Sequence, residues 1–236
     1  MRAALVDCGV VATTPMRNLA VLASGQGTNF EALALAAHRG ELGGRIVALL
    51  SDRPDAPALD RARRLGIEAI TLPSGRFRTR LEDERPWLDT LRSREVEVIL
   101  LAGFMRRLHG TLLGAYPDRI LNIHPSLLPA FPGLDAIRQA WEHGVRVTGC
   151  TVHLVEDALD AGPILAQSAV EVRDGESWEA LTARVHEAEH RLYPATVARF
   201  LSGTWARAGR RMVADPGPIP SAPDPARRLG LEGSRA

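Results

Sequence analysis

The chain alternates short apolar runs with longer amphipathic stretches, and this alternation restricts its fold more than any other feature. The apolar runs are LAVLAS (19–24), RIVALLSD (45–52), IEAITL (67–72) and VEVILLAGF (96–104), and the amphipathic stretches between them are 29–40, 59–66 and 78–95. Nearly continuous apolar runs are typical of strands that are buried on both faces of a parallel sheet. Parallel neighbours need a crossover connection, and the amphipathic stretches are long enough to supply one as a helix.

The second half of the pattern differs, because two predicted strands are joined by a short connection. After RILNI (119–123) come a helix candidate at 134–143, strands at 147–156 and 163–172, and a helix from Ser177 to Leu201. The connection between the two strands is too short for a crossover helix, so they are expected to be antiparallel. The predicted fold class is therefore α/β and Rossmann-like, a mostly parallel sheet with helices on both faces and a C-terminal, partly antiparallel portion.

Composition divides the chain into one domain and two ends. Residues 16–207 carry the alternation and are predicted to fold as one domain. Residues 1–15 are interpreted as an N-terminal extension before Met16, a second possible start; a weak signal peptide is the alternative, although Asp7 interrupts its apolar stretch. Residues 208–236 are rich in Arg, Pro, Gly and Ala without periodicity, which predicts a flexible tail.

Charge and residue usage exclude several classes of function. A net charge of +1 offers no basic surface for nucleic acid, and no apolar run approaches the roughly 18 residues of a membrane span. The chain contains no lysine, which excludes a Schiff-base lysine and a phosphate-binding Walker lysine. Cys8 and Cys150 lack metal-ligand spacing, so we expect free thiols in a reducing, cytoplasmic compartment. His186 and His190 have helical i, i+4 spacing but no further ligands of plausible spacing, so no metal site is predicted.

The segment NIHPSLLP (122–129) places polar side chains directly at the end of an apolar run. If that run is a strand, the segment lies at the carboxyl edge, where open α/β sheets bind ligands. Side chains alternate along a strand, so Asn122 and His124 point to one face while Ile123 points into the core. An amide can donate to an oxyanion and an imidazole can move a proton near neutral pH. A structural role for both residues is the alternative.

The segment SGQGTN (24–29), between the first predicted strand and helix, resembles a phosphate-binding turn. Gly25 and Gly27 allow close backbone approach, and Thr28 or Asn29 can cap the helix while its free amides face an anion. The segment is not the dinucleotide-binding fingerprint, because Phe30 occupies the third glycine position. A tight turn with a helix cap and no ligand is the alternative.

The loop EDALDAGP (156–163) contains a third polar candidate. Asp160 precedes two small residues and could approach His124, whose protonated form an opposite charge would stabilise. A solvated acidic loop is the alternative interpretation. His153 lies within a predicted strand, and we expect it to be packed rather than functional.

Five segments together resemble the phosphoribosylglycinamide formyltransferase family, which is folate-dependent. They are LAVLASGQGTNFEAL, LAGFMRRL, ILNIHPSLLPAFPGLDAIRQA, TGCTVHLVEDALDAGPILAQ and ARVHEAEHRLYP, in this order and spacing, and the resemblance extends from about Met16 to Leu201. It implies transfer of a formyl group from the co-substrate 10-formyltetrahydrofolate to the amine of glycinamide ribonucleotide, in purine synthesis. The partners it implies are these two small molecules, and a weak homodimer is left open.

The resemblance also implies roles for residues at matching positions. The matched catalytic residues are Asn122, His124 and Asp160. The residues matched to the ribonucleotide site are Gly27, Thr28, Asn29 and Glu189. The residues matched to the folate site are Arg80, Met105, Arg106, Arg107, Leu108 and Asn122. Asp135 and Ile137 stand where some members carry histidines, so no role is transferred to them.

Three other interpretations compete with this one. A formyltetrahydrofolate hydrolase uses a similar Asn, His and Asp set but is expected to have a regulatory domain before the first strand, which residues 1–15 are too few to form. Methionyl-tRNA formyltransferase shares the set but is expected to carry a C-terminal RNA-binding domain. A non-catalytic folate- or nucleotide-binding module would keep the fold without turnover, and the complete set of catalytic residues argues against it.

Overall fold

The structure is a computed structural model that describes residues 16–203, 205–208 and 211–214. Its strands are β1 (Arg17–Leu22), β2 (Gly44–Ser51), β3 (Glu68–Thr71), β4 (Val98–Leu101), β5 (Ile120–His124), β6 (Val147–Leu154), β7 (Ile164–Glu171), β8 (Trp205–Ala208) and β9 (Arg211–Ala214). Its helices are α1 (Thr28–His38), α2 (Pro57–Arg64), α3 (Arg85–Arg92), α4 (Gly110–Ala115), α5 (Ala136–His143) and α6 (Trp178–Ser202). Among the described residues, no helix combines the length and apolar character needed to cross a membrane.

The nine described strands form one sheet in the order β3-β2-β1-β4-β5-β6-β7-β9-β8. The pairs from β3 to β5 are all parallel. Successive side chains of β1 enter opposite cores: Leu19 and Val21 pack on the face covered by α1 and α6, and Ala20 and Leu22 on the face covered by α3 and α4. The predicted parallel sheet with helices on both faces is confirmed, and residues 19–22 of β1 and all of β4 are apolar because both faces are buried there.

The direction of the strands changes at β5. Strand β6 is antiparallel to β5 and pairs Asn122 with His153 and His124 with Thr151. Strand β7 is antiparallel to β6. The predicted antiparallel C-terminal portion is therefore confirmed, and the change of direction falls beside the NIHPSLLP segment.

The charged stretch 78–95 is only partly helical, since α3 covers Arg85–Arg92. Pro86 lies in the first turn of α3, where its missing N–H costs no hydrogen bond. The residues before α3 form an irregular connection, in which Arg80 makes a parallel bridge to Arg107. This connection therefore lies against the segment that follows β4.

A short hairpin extends the sheet at its C-terminal edge. Strands β8 and β9 are antiparallel, and β9 meets β7 at Ile164 and Arg211. The rings of Trp205 and Phe200 pack with their centroids 6.1 Å apart, which gives the hairpin an apolar anchor. Strand β9 lies within the segment that composition predicted as a flexible tail, because a four-residue strand carries little periodic signal. Ala208, the last residue of β8, also belongs to that predicted tail, while its other residues and residues 1–15, with Cys8, lie outside the described residues.

Candidate active site

Asn122 and His153 meet across β5 and β6. The antiparallel register places the two residues directly opposite each other, and Asn122 Nδ2 donates a hydrogen bond to His153 Nε2 at 3.1 Å. His153 Nδ1 donates to the carbonyl oxygen of Leu154 at 2.9 Å. The imidazole proton is therefore on Nδ1, which leaves the Nε2 lone pair to accept from Asn122. This bond fixes which way the Asn122 amide faces and leaves its second N–H for a ligand.

His153 stays neutral because of its surroundings. The residue is buried, and burial lowers the pKa of its imidazole below the ordinary 6.5. A protonated ring would present a donor to the Asn122 amide instead of an acceptor. The prediction that His153 is packed is confirmed by its burial, and the ring also belongs to this polar cluster.

His124 faces the carboxylate of Asp160. The distance from His124 Nδ1 to Asp160 Oδ2 is 3.6 Å, and both side chains are less than 10% exposed. His124 Nε2 donates to the carbonyl oxygen of Phe131 at 2.9 Å, so Nδ1 is the nitrogen on the Asp160 side. The other oxygen of Asp160 lies 3.8 Å from His153 Nε2. Asn122, His124, His153 and Asp160 thus form one cluster of polar side chains, and it contains the three predicted catalytic residues.

The backbone of the 156–163 loop explains why its sequence reads DAGP. Asp160 has φ +49°, in the left-handed region, and its Oδ2 accepts a hydrogen bond from the Gly133 N–H at 2.8 Å. A side chain on Gly162 would place its Cβ only 1.9 Å from the Leu154 carbonyl oxygen. Close packing against β6 at Gly162 therefore holds the loop in the conformation that brings Asp160 to the cluster.

The segment after β5 is fixed by polar contacts with β6 and β7. Thr151 Oγ1 donates to the Ser126 carbonyl at 2.7 Å and accepts from the Leu128 N–H at 3.1 Å. Gln167 donates from the next strand to the Leu128 carbonyl at 2.9 Å. These bonds hold the residues that follow His124, so the imidazole is positioned by the sheet on both sides.

The SGQGTN turn ends at the N-terminus of α1 without a side-chain cap. Gly27 occupies the N-cap position with φ +74°, and Thr28 and Asn29 are the first helical residues. The prediction that Thr28 or Asn29 caps the helix was wrong, because Gly27 adopts a left-handed conformation that leaves the cap without a side chain. The first N–H groups of a helix have no partner within it, so this terminus is suited to bind an anion.

Asn29 instead connects α1 to α6. Its Nδ2 donates to Glu189 Oε2 at 2.9 Å, and the same oxygen accepts from His186 Nδ1 at 2.8 Å. Glu189 is buried, and its carboxylate raises the pKa of His186. Asn29 Oδ1 is buried without a hydrogen-bond partner among the described residues, which leaves an acceptor beside the turn. The structure thus brings Glu189, 160 positions away, to the predicted ribonucleotide site.

Apart from Asn122 on β5, the residues matched to the folate site lie on two adjacent segments. Arg80 packs over the Phe77 ring at 4.1 Å and is bridged to Arg107 through the backbone. Met105 and Arg107 are exposed, whereas Leu108 is buried in the core. We expect any contact of Leu108 with a ligand to involve its backbone, since its side chain packs inside.

Metal binding has no support within the described part of the chain. No group of three or more His, Cys, Asp or Glu side chains there is arranged to hold an ion. His186, half of the i, i+4 pair, is bonded to Glu189. Burial raises the pKa of the Cys150 thiol to about 12, so it stays protonated at neutral pH.

Comparison with known proteins identifies the family. The model of the formyl transferase family matches residues 17–197, which include every side chain of the cluster. The chain belongs to the formyl transferase family. Within this family it is 41% identical to phosphoribosylglycinamide formyltransferase of Bacillus subtilis, over 79% of this chain and 95% of that protein. The protein of the same name from Escherichia coli is also 41% identical, over 79% and 88% of the two chains.

A solved structure supports the same assignment of this formyl transferase. Glycinamide ribonucleotide transformylase 1 from Symbiobacterium toebii matches with a TM-score of 0.81 and 45% identity. The match covers 84% of this chain and 94% of that one. The similarity therefore includes the antiparallel portion that carries His153 and Asp160, because the parallel half alone would cover far less.

Proposed function

We propose that this chain transfers the formyl group of 10-formyltetrahydrofolate to the amine of glycinamide ribonucleotide, as a phosphoribosylglycinamide formyltransferase of purine biosynthesis. The observation that carries the proposal is the meeting of Asn122, His124 and Asp160 at the end of β5. It occurs in a chain whose relatives of that name match over nearly their whole length.

The chemistry requires an oxyanion to be stabilised and a proton to be moved. The substrate amine attacks the formyl carbon, a new C–N bond forms, and the bond from that carbon to N10 of the folate then breaks. The proton lost by the amine must finally reach N10. Between these events the formyl oxygen carries negative charge, and donors aimed at it in a site shielded from water lower the barrier.

Asn122 and His124 are suited to act as those donors. Asn122 has one N–H directed to His153 and a second available for the formyl oxygen. His124 Nε2 donates to Phe131, so Nδ1 is the nitrogen that we assign to the reaction, where it becomes a donor once it has taken up a proton. Losing one donor to such an oxyanion typically costs about 100- to 1,000-fold in rate.

Asp160 is suited to assist the proton transfer at His124. Its Oδ2 lies 3.6 Å from His124 Nδ1, which is too far for a strong direct hydrogen bond. We assign the space between them to the migrating proton, carried directly or by a water molecule. The backbone N–H of Gly133 donates to the Asp160 carboxylate and holds it in place.

The two small molecules are assigned to the two sides of this cluster. We assign the ribonucleotide phosphate to Gly27, Thr28 and Asn29 at the start of α1, and the rest of that substrate to Glu189. The folate is assigned to Arg80, Asn122 and the residues from Met105 to Leu108. Asn122 would then touch the co-substrate as well as its oxyanion. A cytoplasmic location and a weak homodimer belong to the same proposal.

Absorbance of the folate as it loses its formyl group tests the proposal, measured with and without glycinamide ribonucleotide. We expect turnover only with the ribonucleotide, and a loss of at least about 100-fold in His124→Ala. His38→Ala is the matched control, since His38 is exposed at the end of α1. Turnover without the ribonucleotide would make the protein a hydrolase. No turnover under either condition would favour a binding module.

A further inference from the structure

A buried ion pair lies outside the catalytic cluster, at the carboxyl ends of β1 and β2. Asp52 directly follows β2, and its side chain is 1% exposed. Its Oδ2 accepts a hydrogen bond from Arg106 Nε at 2.7 Å, and the Arg106 side chain is 16% exposed. Its Oδ1 accepts from Ser24 Oγ at 2.5 Å. The catalytic assignment above makes no use of Asp52.

Arg106 and Ser24, the two partners of Asp52, also form hydrogen bonds with the segments assigned to the folate. Arg106 Nη1 donates to the carbonyl oxygen of Phe77 at 2.6 Å. Ser24 Oγ accepts from the Met105 N–H at 2.9 Å, and the Ser24 N–H donates to Gly103 at 3.0 Å. The Asp52 carboxylate therefore holds the segment after β4 through both Arg106 and Ser24. Through Arg106 it also holds the connection before α3.

The two segments held in this way also pair with each other. The Arg107 N–H donates to the Thr79 carbonyl at 2.9 Å, and the Leu81 N–H donates to the Arg107 carbonyl at 3.4 Å. Neither segment belongs to a helix or to one of the nine strands of the sheet. Their relative position depends on these bonds, on the ion pair beneath them and on the side chains of Leu81 and Leu108, which are buried in one core.

Burial makes this ion pair different from the others nearby. Arg53 and Asp55 also form an ion pair, but their side chains are 56% and 67% exposed. An exposed pair contributes little, whereas removing one member of a buried pair leaves the other charge without compensation. Without Asp52, Arg106 would keep its bond to Phe77 but carry an uncompensated charge, which should loosen the backbone at Met105 and Arg107.

We propose that Asp52 is a positioning residue for the folate co-substrate, acting through Arg106 and Ser24 on the segments 77–81 and 105–108. Asp52 contacts neither reacting group in this assignment, so its loss should weaken folate binding and leave the chemical step intact. The inference rests on the proposed function, because the identity of the ligand on these segments comes from it.

Steady-state kinetics of Asp52→Asn test the inference, since this variant keeps the shape of the side chain and removes its charge. We expect the KM for 10-formyltetrahydrofolate to rise about 10- to 100-fold, while kcat at saturating folate and the KM for the ribonucleotide change less than about threefold. Asp55→Asn, beside it in sequence, should leave all three constants unchanged. An unaltered folate KM in Asp52→Asn, or equal losses in all three constants, would overturn the inference.

Ser24→Ala provides a second variant if Asp52→Asn does not fold. It removes the hydroxyl bridge between Asp52 and Met105 without leaving an uncompensated charge. A selective rise in the folate KM by about threefold or more supports the inference, and no rise overturns it. If the unaltered chain shows no turnover, the proposed function fails by itself. Calorimetric titration of 10-formyltetrahydrofolate into the unaltered chain and Asp52→Asn then tests the inference separately, with equal affinities overturning it.

Discussion

Replacing Gly27 with Ala should damage the turn at the start of α1 more than any other single methyl group added there. Gly27 has φ +74°, a conformation that L-residues with a side chain rarely adopt. The added Cβ would lie 2.6 Å from Ala58 Cβ and 2.8 Å from Ala58 Cα, at the start of α2. Since Ala58 is fully buried and its N–H is bonded to Gly25, α2 cannot move away without breaking that bond.

The left-handed backbone and the contact with Ala58 both lower the free energy of unfolding, and their costs add. The left-handed backbone costs an L-residue roughly 1–2 kcal/mol. Forcing an extra carbon into a packed contact costs about 1–3 kcal/mol. We therefore expect Gly27→Ala to lower the free energy of unfolding by about 2–5 kcal/mol, a large share of the roughly 5–15 kcal/mol of a typical domain.

Urea unfolding of the unaltered chain, Gly27→Ala and Gly25→Ala checks this value. Gly25→Ala is the matched control. Gly25 lies two residues away in the same turn, but an added Cβ there meets no atom within 4 Å and its φ is not in the left-handed region. The control should change the free energy of unfolding by less than about 0.5 kcal/mol. Equal losses in the two variants would refute the reasoning. In the same preparations, the KM for the ribonucleotide should rise about tenfold or more in Gly27→Ala, because the displaced amides no longer face its phosphate.

Two further predictions concern His153. His153→Phe should lower kcat about 10- to 100-fold and change either KM by less than about threefold, because Asn122 loses the acceptor that orients its amide; an unchanged kcat would contradict this role. The free energy of unfolding should also fall as the pH drops below about 6.5, since burial lowers the pKa of folded His153 while the unfolded imidazole still binds a proton. This stabilisation is complete above the ordinary pKa of 6.5. It is lost as the pH falls toward the lower pKa of the folded protein, with a slope of at most about 1.4 kcal/mol per pH unit. Urea unfolding at several pH values should show a shallower decline in His153→Phe, and parallel curves would refute the assignment.

Much of the sheet could be predicted from the sequence, because burial leaves a direct pattern. Strands covered on both faces are apolar along their buried length, as residues 19–22 of β1 and all of β4 are, and such runs are easily found. The hairpin at Arg211 and the short helix α4 were missed, since neither is long enough to show a period. The stretch 78–95 did not show that α3 begins only at Arg85, because residues 78–84 are as charged as the helix that follows them.

Only some residues of the candidate site could be predicted from the sequence pattern. Asn122 and His124 follow from strand alternation at the end of an apolar run. His153 could have been found from its position, had the register of β5 and β6 been known, because it lies directly opposite Asn122. Asp160 could not, since the end of β6 lies beside the start of β5 and only the folded loop returns the carboxylate to His124. The residues alone suggested that Asp160 could approach His124 but left a solvated loop as the alternative, and the family resemblance assigned it the catalytic role.

The change of strand direction between β5 and β6 limits where this chain can accept insertions during evolution. One residue inserted within β6 would turn Thr151 and His153 to the opposite face and separate both from their partners on β5. An insertion between Asp160 and Gly162 would shift the close contact with Leu154 that fixes the loop. Val155 still pairs with Ile120 of β5, whereas residues 156–159 carry neither constraint. Natural length variation in this part of the protein should therefore concentrate in that short segment, with the strands on either side held constant.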